Sequence, residues 1–263
     1  EDHATQHLVI PNLGDPPTMK ELRSAIRRLK ADKVVLGINP YILKILLGDE
    51  DIHKEILNDL LNMMKSHINK DEHSYDQWKK KTLVGIAKAG KSQASPAGYR
   101  WLTIMDSCQK LIESIFERRL SPILKTNIPM WQGGGIAGRE AADIAFTMNR
   151  YLRLRRNMGK DTYCLFLDAV QAYDLIDRPL LLTCLEKFGF DKQAIQWIKS
   201  FHEGGFNGTN INGITVEAPS TLGIPQGSPI SPALYVIWHF ICTETYDNIY
   251  KLPRMLMETL HDE

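Results

Sequence analysis

The stretch that decides the fold is Phe166-Leu167-Asp168-Ala169-Val170-Gln171-Ala172-Tyr173-Asp174. Its start overlaps a short apolar run, Tyr163 to Leu167, which predicts a buried strand. Asp168 stands at the end of that run, and a carboxylate is costly to bury unless it is paired or binds a metal. A second acid, Asp174, directly follows Tyr173. These residues alone leave two interpretations open: Asp168 caps a turn and Asp174 starts a helix, or the two carboxylates mark a functional site.

A second stretch favours the functional interpretation. It reads Gly223-Ile224-Pro225-Gln226-Gly227-Ser228-Pro229-Ile230-Ser231-Pro232 and leads into the apolar run Ala233 to Trp238, which is typical of a helix start. Together the two stretches resemble the A and B motifs of reverse transcriptases, in particular those of the non-LTR retrotransposon (LINE-type) and group II intron branch. There the A motif reads roughly Asp, three residues, Ala, an aromatic and Asp, and the B motif reads Gly-x-Pro-Gln-Gly-Ser-x-x-Ser-Pro. Both spacings hold in this chain without a gap.

The resemblance implies an α+β chain with the right-hand polymerase fold, in which helix-rich fingers precede a palm whose small antiparallel sheet packs on helices. We expect residues 1–70 to form an N-terminal helical extension, 71–160 the fingers and 161–263 the palm, with the A motif at 166–174 and the B motif at 223–232. We expect the palm to be truncated near the C motif and the thumb to be absent.

Local patterns predict several elements of this fold. Thr18 and Glu21 have the spacing of a capping box, which predicts the start of a helix. The alternating run Thr82 to Ala87 and the run Tyr99 to Ile104 predict the two strands of the fingers. Asn212-Gly213 is a strong hairpin signal. Two helices are expected to turn apolar stripes inward: Leu111, Ile112, Ile115, Phe116 and Leu120 in the first, and Ile144, Met148, Tyr151 and Leu152 in the second.

The chemistry that the resemblance implies is RNA-directed DNA polymerisation. Two Mg²⁺ ions would assist template-directed addition of dNTPs by in-line phosphoryl transfer, with Asp168 as a catalytic metal ligand. In the family a further carboxylate comes from the C motif, and its nearest match here is Leu260-His261-Asp262-Glu263. Asp262 is therefore a second candidate catalytic and metal-binding residue, although an acidic terminus without a role explains this stretch equally well. Asp174 is expected to order the strand-to-helix turn.

The resemblance also assigns residues to the incoming dNTP. Lys88 and Arg100 would contact its triphosphate, since a point charge and a planar fork of donors both match phosphate oxygens. Tyr173 would lie under the sugar and exclude a 2′-hydroxyl by size. Gln226 and Gly227 would shape the nucleotide and template side of the pocket.

The charge distribution bears on nucleic-acid binding. The net charge is only +1, which is weak evidence for a protein that grips a duplex. Basic residues nevertheless cluster in two places: Lys79, Lys80, Lys81, Lys88 and Lys91, and Arg150, Arg153, Arg155, Arg156 and Lys160. Each cluster is either a solvated face or a phosphate track. We predict nucleic-acid contacts at Arg139, which lies in a glycine-rich turn, and at Arg150 and Arg153.

Two further functional hypotheses stay open. The chain is a catalytically inactive, reverse-transcriptase-derived structural subunit of a larger assembly, as the missing C motif and thumb and the near-neutral charge favour. Alternatively, it is a non-catalytic nucleic-acid-binding module. An active enzyme would have an RNA template and a DNA primer as partners, and an inactive one would have protein subunits.

The composition excludes some other classes. Hydrophobic residues make up 43% and charged residues 24%, as in ordinary globular chains long enough to bury a core. The longest apolar run, Ala233 to Cys242, is too short to span a bilayer, so no membrane insertion is expected. The four cysteines form no C-x-x-C pair, which argues against a zinc site and a disulfide framework. No signal peptide is visible, and the sequence does not identify the compartment, whether the nucleus or an organelle.

Overall fold

A computed structural model of the chain describes residues 10, 13–32, 34–48, 50–69, 76–211 and 213–250. Within these residues the chain has a mixed helix and strand architecture. In chain order the helices and strands are α1 (Met19–Arg28), α2 (Pro40–Ile45), α3 (Glu50–Asn69), β1 (Lys80–Ala87), β2 (Tyr99–Ile104), α4 (Ser107–Asn127), α5 (Ala141–Asn157), α6 (Arg178–Phe188), α7 (Lys192–His202), β3 (Phe206–Ile211), β4 (Ile214–Pro219) and α8 (Ser231–Tyr250).

The described strands form one four-stranded sheet in the order β2-β1-β3-β4. The pairs β1–β2 and β3–β4 are antiparallel, whereas β1 and β3 run parallel, from Lys80 opposite Phe206 to Thr82 opposite Gly208. The strands within 161–263, β3 and β4, pair antiparallel as expected, but the sheet as a whole is mixed because β3 also pairs with β1. The physical reason is the connection from β2 to β3, because its four helices form a long crossover, which is what a parallel pair requires.

The predicted buried strand at Tyr163 to Leu167 is wrong. Residues 160–169 have neither helix nor strand geometry. Tyr163, Phe166 and Leu167 are 94%, 80% and 86% exposed. A strand needs a neighbour to satisfy its backbone hydrogen-bonding groups, and the part of the chain that the structure describes pairs no strand with this segment.

The core lies among the helices behind the sheet. The Phe116 ring of α4 contacts Trp197 and Phe201 of α7, at 5.7 and 6.4 Å between ring centroids. The predicted inward stripe of α4 is confirmed, since Leu111, Ile112, Ile115, Phe116 and Leu120 are all buried. The stripe predicted for α5 is only half-buried, and no residue of α5 is fully buried.

The local start and turn signals hold in the structure. Thr18 and Glu21 form the predicted capping box at the start of α1. The Glu21 carboxylate also pairs with Arg119 of α4, at 2.6 Å between Nε and Oε1, so that one cap residue ties two helices together. The predicted strands of the fingers are β1 and β2, and β3 and β4 form the predicted hairpin, with Asn212 itself outside the described residues.

Candidate nucleotide-binding site

A cavity of about 690 Å³ lies where the A motif, the B motif and the β1–β2 hairpin meet. Six of the predicted site residues line it, and they come from three separate stretches of the chain. These residues are Lys88, Arg100, Asp168, Tyr173, Gln226 and Gly227. The structure therefore brings together every predicted dNTP-binding residue and the predicted metal carboxylate that it describes.

The cationic side of the cavity is built by the hairpin of β1 and β2. Ile86 pairs with Arg100 in the strand register. Just beyond β1, the Lys88 amide donates to the Gly98 carbonyl at 2.8 Å, and Lys88 Nζ donates to the Ala97 carbonyl at 3.1 Å. These bonds close the hairpin, and both the Lys88 ammonium and the Arg100 guanidinium line the cavity. Cationic groups of these two kinds are suited to phosphate oxygens.

The A motif forms a tight turn that also lines the cavity. Gln171 adopts φ +49°, which is unusual for a residue other than glycine. Its carbonyl accepts from the amides of Asp174 and Leu175, at 2.9 and 3.1 Å. Asp168, before this turn, lines the cavity and is exposed. The turn thus presents a solvated carboxylate to the same cavity as the two cationic side chains.

Tyr173 is a firmly held wall of the cavity. Its ring stacks on Tyr235 of α8 with 5.2 Å between centroids and an interplanar angle of 10°. Burial, and secondarily the neighbouring Tyr235, raise the pKa of the Tyr173 hydroxyl. The Tyr173 carbonyl accepts from the Ile224 amide at 2.9 Å, which joins the A motif to the B motif through the backbone.

The B-motif loop is hydrogen-bonded both to β2 and to the A motif. The Thr103 amide of β2 donates to the Gln226 carbonyl at 2.7 Å. Gly227 has φ +123°, and a Cβ built there would lie 2.7 Å from the Thr103 carbonyl oxygen. Only glycine fits this conformation and this close approach without displacing the strand. The Gln226 side chain donates to the Asp174 carboxylate, so Asp174 links the two motifs in addition to ending the turn.

Arg178 is a residue that the sequence reasoning missed. Its guanidinium donates to the carbonyls of Gly223 and Leu222 at 2.7 and 3.0 Å, and to both the carbonyl and the hydroxyl of Ser220. It also donates to the His202 carbonyl at 3.3 Å. The half-buried guanidinium therefore holds the chain that enters the B motif. The Arg178-Pro179 pair at the helix start was the signal available in the sequence, but it carries no information about these distant carbonyls.

The family described as "Reverse transcriptase (RNA-dependent DNA polymerase)" matches residues 79–245. The chain belongs to the reverse transcriptase family.

Two relatives place this reverse transcriptase domain near transposon-encoded enzymes. It is 24% identical over 247 residues to the probable RNA-directed DNA polymerase from transposon BS of Drosophila melanogaster, which covers 89% of this chain and 27% of that protein. It is 28% identical over 170 residues to the RNA-directed DNA polymerase from mobile element jockey of the same organism, covering 61% and 18%. These similarities confirm the resemblance to the LINE-type branch. The chain spans about a quarter or less of the length of these relatives.

Among solved structures, the reverse transcriptase domain is similar to a chain of a partial Cas6-RT-Cas1--Cas2 complex. The TM-score is 0.44 and the sequence identity 17%, over 91% of this chain and 34% of that one.

The predicted nucleic-acid-contacting arginines lie outside the cavity of the reverse transcriptase domain. Arg139 donates to carbonyls of its own chain, at Lys125, Ile128, Pro129 and Gln132, and so fastens the end of α4 to the glycine-rich turn. Arg150 and Arg153 are exposed on α5. A contact of these three arginines with nucleic acid stays a prediction.

The family generally uses a divalent metal, and the donor chemistry of the cavity fits one. Asp168 and Asp174 line the cavity, and Mg²⁺ is commonly held by one or two carboxylates together with substrate phosphates and water. Within the described residues, no group of three or more His, Cys, Asp or Glu side chains is arranged around a common point. Asp262, the second predicted ligand, lies outside the described residues. None of the described helices is long and apolar enough to cross a membrane.

Proposed function

We propose that this domain contains the fingers and palm of an RNA-directed DNA polymerase of retrotransposon origin. It would add dNTPs to a DNA primer along an RNA template by two-metal phosphoryl transfer. The observation that supports this most is the cavity, because residues distant in sequence converge there with the two charge signs that a metal-bound triphosphate needs. The division into an extension at 1–70, fingers at 71–160 and a palm at 161–263 is part of the proposal.

The phosphate side of the reaction falls to Lys88 and Arg100. Phosphoryl transfer leaves little covalent work for the protein, so that catalysis rests on positioning and on charge stabilisation. The hydrogen bonds that close the β1–β2 hairpin hold Lys88 beside the strand that carries Arg100. We assign to these two side chains the binding of the triphosphate oxygens.

The sugar and base side falls to the A and B motifs. Tyr173 is supported from behind by Tyr235 and presents its ring to the cavity, where it would meet the sugar and reject a 2′-hydroxyl. Gln226 is oriented by Asp174, and Gly227 lets the backbone approach closely. These residues would fix the nucleotide and template side of the reacting pair.

Asp168 would be one ligand of Mg²⁺, with Asp262 as the proposed second. When bound, Mg²⁺ stabilises the negative charge on the transferring phosphoryl group and lowers the pKa of the attacking hydroxyl. Asp168 precedes the A-motif turn and would provide a carboxylate oxygen ligand in the cavity that the phosphates would occupy.

The test is primer extension by the purified protein. The assay uses a poly(rA) template, an oligo(dT) primer, dTTP and Mg²⁺, with Asp168→Ala as the inactive control. We expect extension that depends on template and Mg²⁺ and is lost in the variant. Extension that is equal in the wild type and the variant would overturn the assignment of Asp168.

The alternative is a reverse-transcriptase-derived subunit of a larger assembly without catalysis. One feature favours it: of the two carboxylates that line the cavity, Asp174 already accepts from Gln226, which leaves Asp168 as the described ligand. This alternative predicts no primer extension from protein that circular dichroism shows to be folded. The protein would then act by binding other protein subunits.

A further inference from the structure

A buried carboxylate lies behind the cavity and contacts the B motif. Glu113 of α4 is only 1% exposed and is absent from the cavity lining. One of its oxygens accepts from Gln109 Nε2 at 2.9 Å, and the other accepts a short hydrogen bond from the Ser228 hydroxyl. Because burying a carboxylate is costly unless its oxygens are satisfied, an apolar residue would serve a merely packed position better.

Ser228 makes this contact relevant to the cavity. It directly follows Gln226 and Gly227, and all three line the cavity. Its hydroxyl donates to Glu113 and at the same time accepts from the Ile230 amide at 3.3 Å, at the start of α8. The Ser228 hydroxyl therefore makes two hydrogen bonds, and through Glu113 it links the loop to α4.

In addition to the contacts of Arg178 and Asp174, three hydrogen bonds anchor the loop along its length. Near its start, the Ile224 amide donates to Tyr173, and in its middle the Gln226 carbonyl accepts from Thr103. Glu113 supplies the third anchor, at the end of the loop. Each anchor comes from a different element, so the loop can keep its place in the cavity only if α4, β2 and the A motif keep theirs.

We propose that Glu113 is a positioning residue, which acts through Ser228 to hold Gln226 and Gly227 at the incoming nucleotide. This inference rests on the proposed function of the cavity. Glu113 touches no substrate; it keeps in one position a loop that would otherwise have several, and this lowers the cost of ordering the loop when the nucleotide binds.

Two substitutions separate positioning from packing. Glu113→Ala removes both acceptors, so that the Ser228 hydroxyl and the Gln109 side-chain amide lose the bonds that they donate to Glu113. Glu113→Gln keeps one oxygen for Ser228. The Gln109 Oε1 atom, which is buried without a hydrogen-bond partner in the structure, can then accept from the new amide once the Gln109 amide rotates. We therefore expect Glu113→Gln to restore what Glu113→Ala loses.

The experiment measures KM for dTTP and kcat in primer extension. Glu113→Ala and Ser228→Ala should each raise KM roughly tenfold, equivalent to about 1.4 kcal/mol, with a smaller change in kcat. The double variant should be no worse than either single variant, because both remove the same contact. Glu117→Ala is the matched control: Glu117 lies one turn further along α4, where the charges acting on it are those of Arg28 and Arg118. An effect of Glu113→Ala no larger than that of Glu117→Ala, or an additive double variant, would overturn the inference.

A second measurement keeps the inference testable if the wild type proves inactive. Amide hydrogen exchange of residues 223–231, without nucleotide, should be faster in Glu113→Ala than in the wild type and in Glu117→Ala, while that of residues 192–202 stays unchanged. Absent extension by the wild type counts against the proposed function alone. Unchanged exchange in residues 223–231 counts against the role of Glu113, whatever the activity.

Discussion

The side-chain amide of Gln226 donates to both oxygens of the Asp174 carboxylate, at 3.3 and 3.2 Å. These residues belong to the B and A motifs, which are separated by two helices and a hairpin in the sequence. The second acid of the A motif therefore holds the glutamine of the B motif in the cavity, and the two motifs act as one unit.

Asp174→Ala should lower the rate of primer extension without abolishing it. It removes the acceptor that orients Gln226 but leaves Asp168 in place, so we expect a loss of roughly tenfold, the size of one charge-assisted hydrogen bond. Asp174→Asn retains one acceptor oxygen and should lose less. The measurement is single-nucleotide extension at saturating dTTP. A complete loss in both variants would instead assign Asp174 to the metal.

Gly227→Ala should destabilise the fold and the site together. A Cβ at φ +123° would meet the Thr103 carbonyl at 2.7 Å, and such strain costs about 1–3 kcal/mol. Gly134→Ala is the matched control, because the nearest atom to a Cβ there is the Gln132 side-chain nitrogen at 3.7 Å, an ordinary contact. Thermal unfolding should show a lower Tm for the first variant only. Equal Tm values for the two variants would refute the close approach.

Arg178→Lys should be almost as damaging as Arg178→Ala. The planar guanidinium serves carbonyls on several sides at once, and a lysine ammonium cannot reproduce that fork. We expect a loss of roughly 2–4 kcal/mol in the free energy of unfolding, since several partly buried acceptors lose their donors together. Urea denaturation measures this loss. Arg153→Lys, at an exposed position of α5, is the control and should leave the midpoint unchanged.

Acid should destabilise the protein partly through His202. Burial, with Lys81 and Arg178 as further causes, lowers the pKa of His202 from 6.5 to about 3. Between these values the unfolded chain binds a proton that the folded chain does not, so the free energy of unfolding falls as the pH drops through this window. The limiting slope is about 1.4 kcal/mol per pH unit.

The variant His202→Phe isolates that contribution. It removes the titrating group and also the contact between Nδ1 and the Ile198 carbonyl, 2.8 Å in the structure. The loss of this contact lowers the stability of the variant by the same amount at every pH. Denaturant unfolding at several pH values should give a shallower decline for the variant between pH 6.5 and 3. Parallel curves for the two proteins would show that His202 is not buried in its neutral form.

The parts of the fold that could be predicted are those with local causes. The Thr18–Glu21 capping box, the two fingers strands and the apolar stripe of α4 each depend on residues close in sequence, and each is present. The parallel pairing of β1 with β3 was not predicted, because it depends on where a long helical crossover returns. The prediction of a strand at 163–167 was wrong because the apolar composition of this segment does not show whether a partner strand lies beside it.

The candidate site likewise has residues that could be predicted from the sequence and contacts that could not. The resemblance to reverse transcriptases was enough to predict that Lys88, Tyr173 and Gln226 share one site, and all three line the cavity. The supporting contacts could not be predicted, since Arg178 and Glu113 act on backbone carbonyls or on a hydroxyl far away in the chain. Such partners carry no sequence pattern, and only the folded chain brings them within hydrogen-bonding distance.

The most direct test of the central claim compares Asp168→Ala with Asp161→Ala. Asp161 is an exposed aspartate of the same segment and does not line the cavity. Incorporation of dTTP on a poly(rA) template with Mg²⁺ should be lost in Asp168→Ala and kept in Asp161→Ala, while both variants unfold at the wild-type temperature. Equal incorporation by the two variants, or none by the folded wild type, would contradict a polymerase site in this cavity.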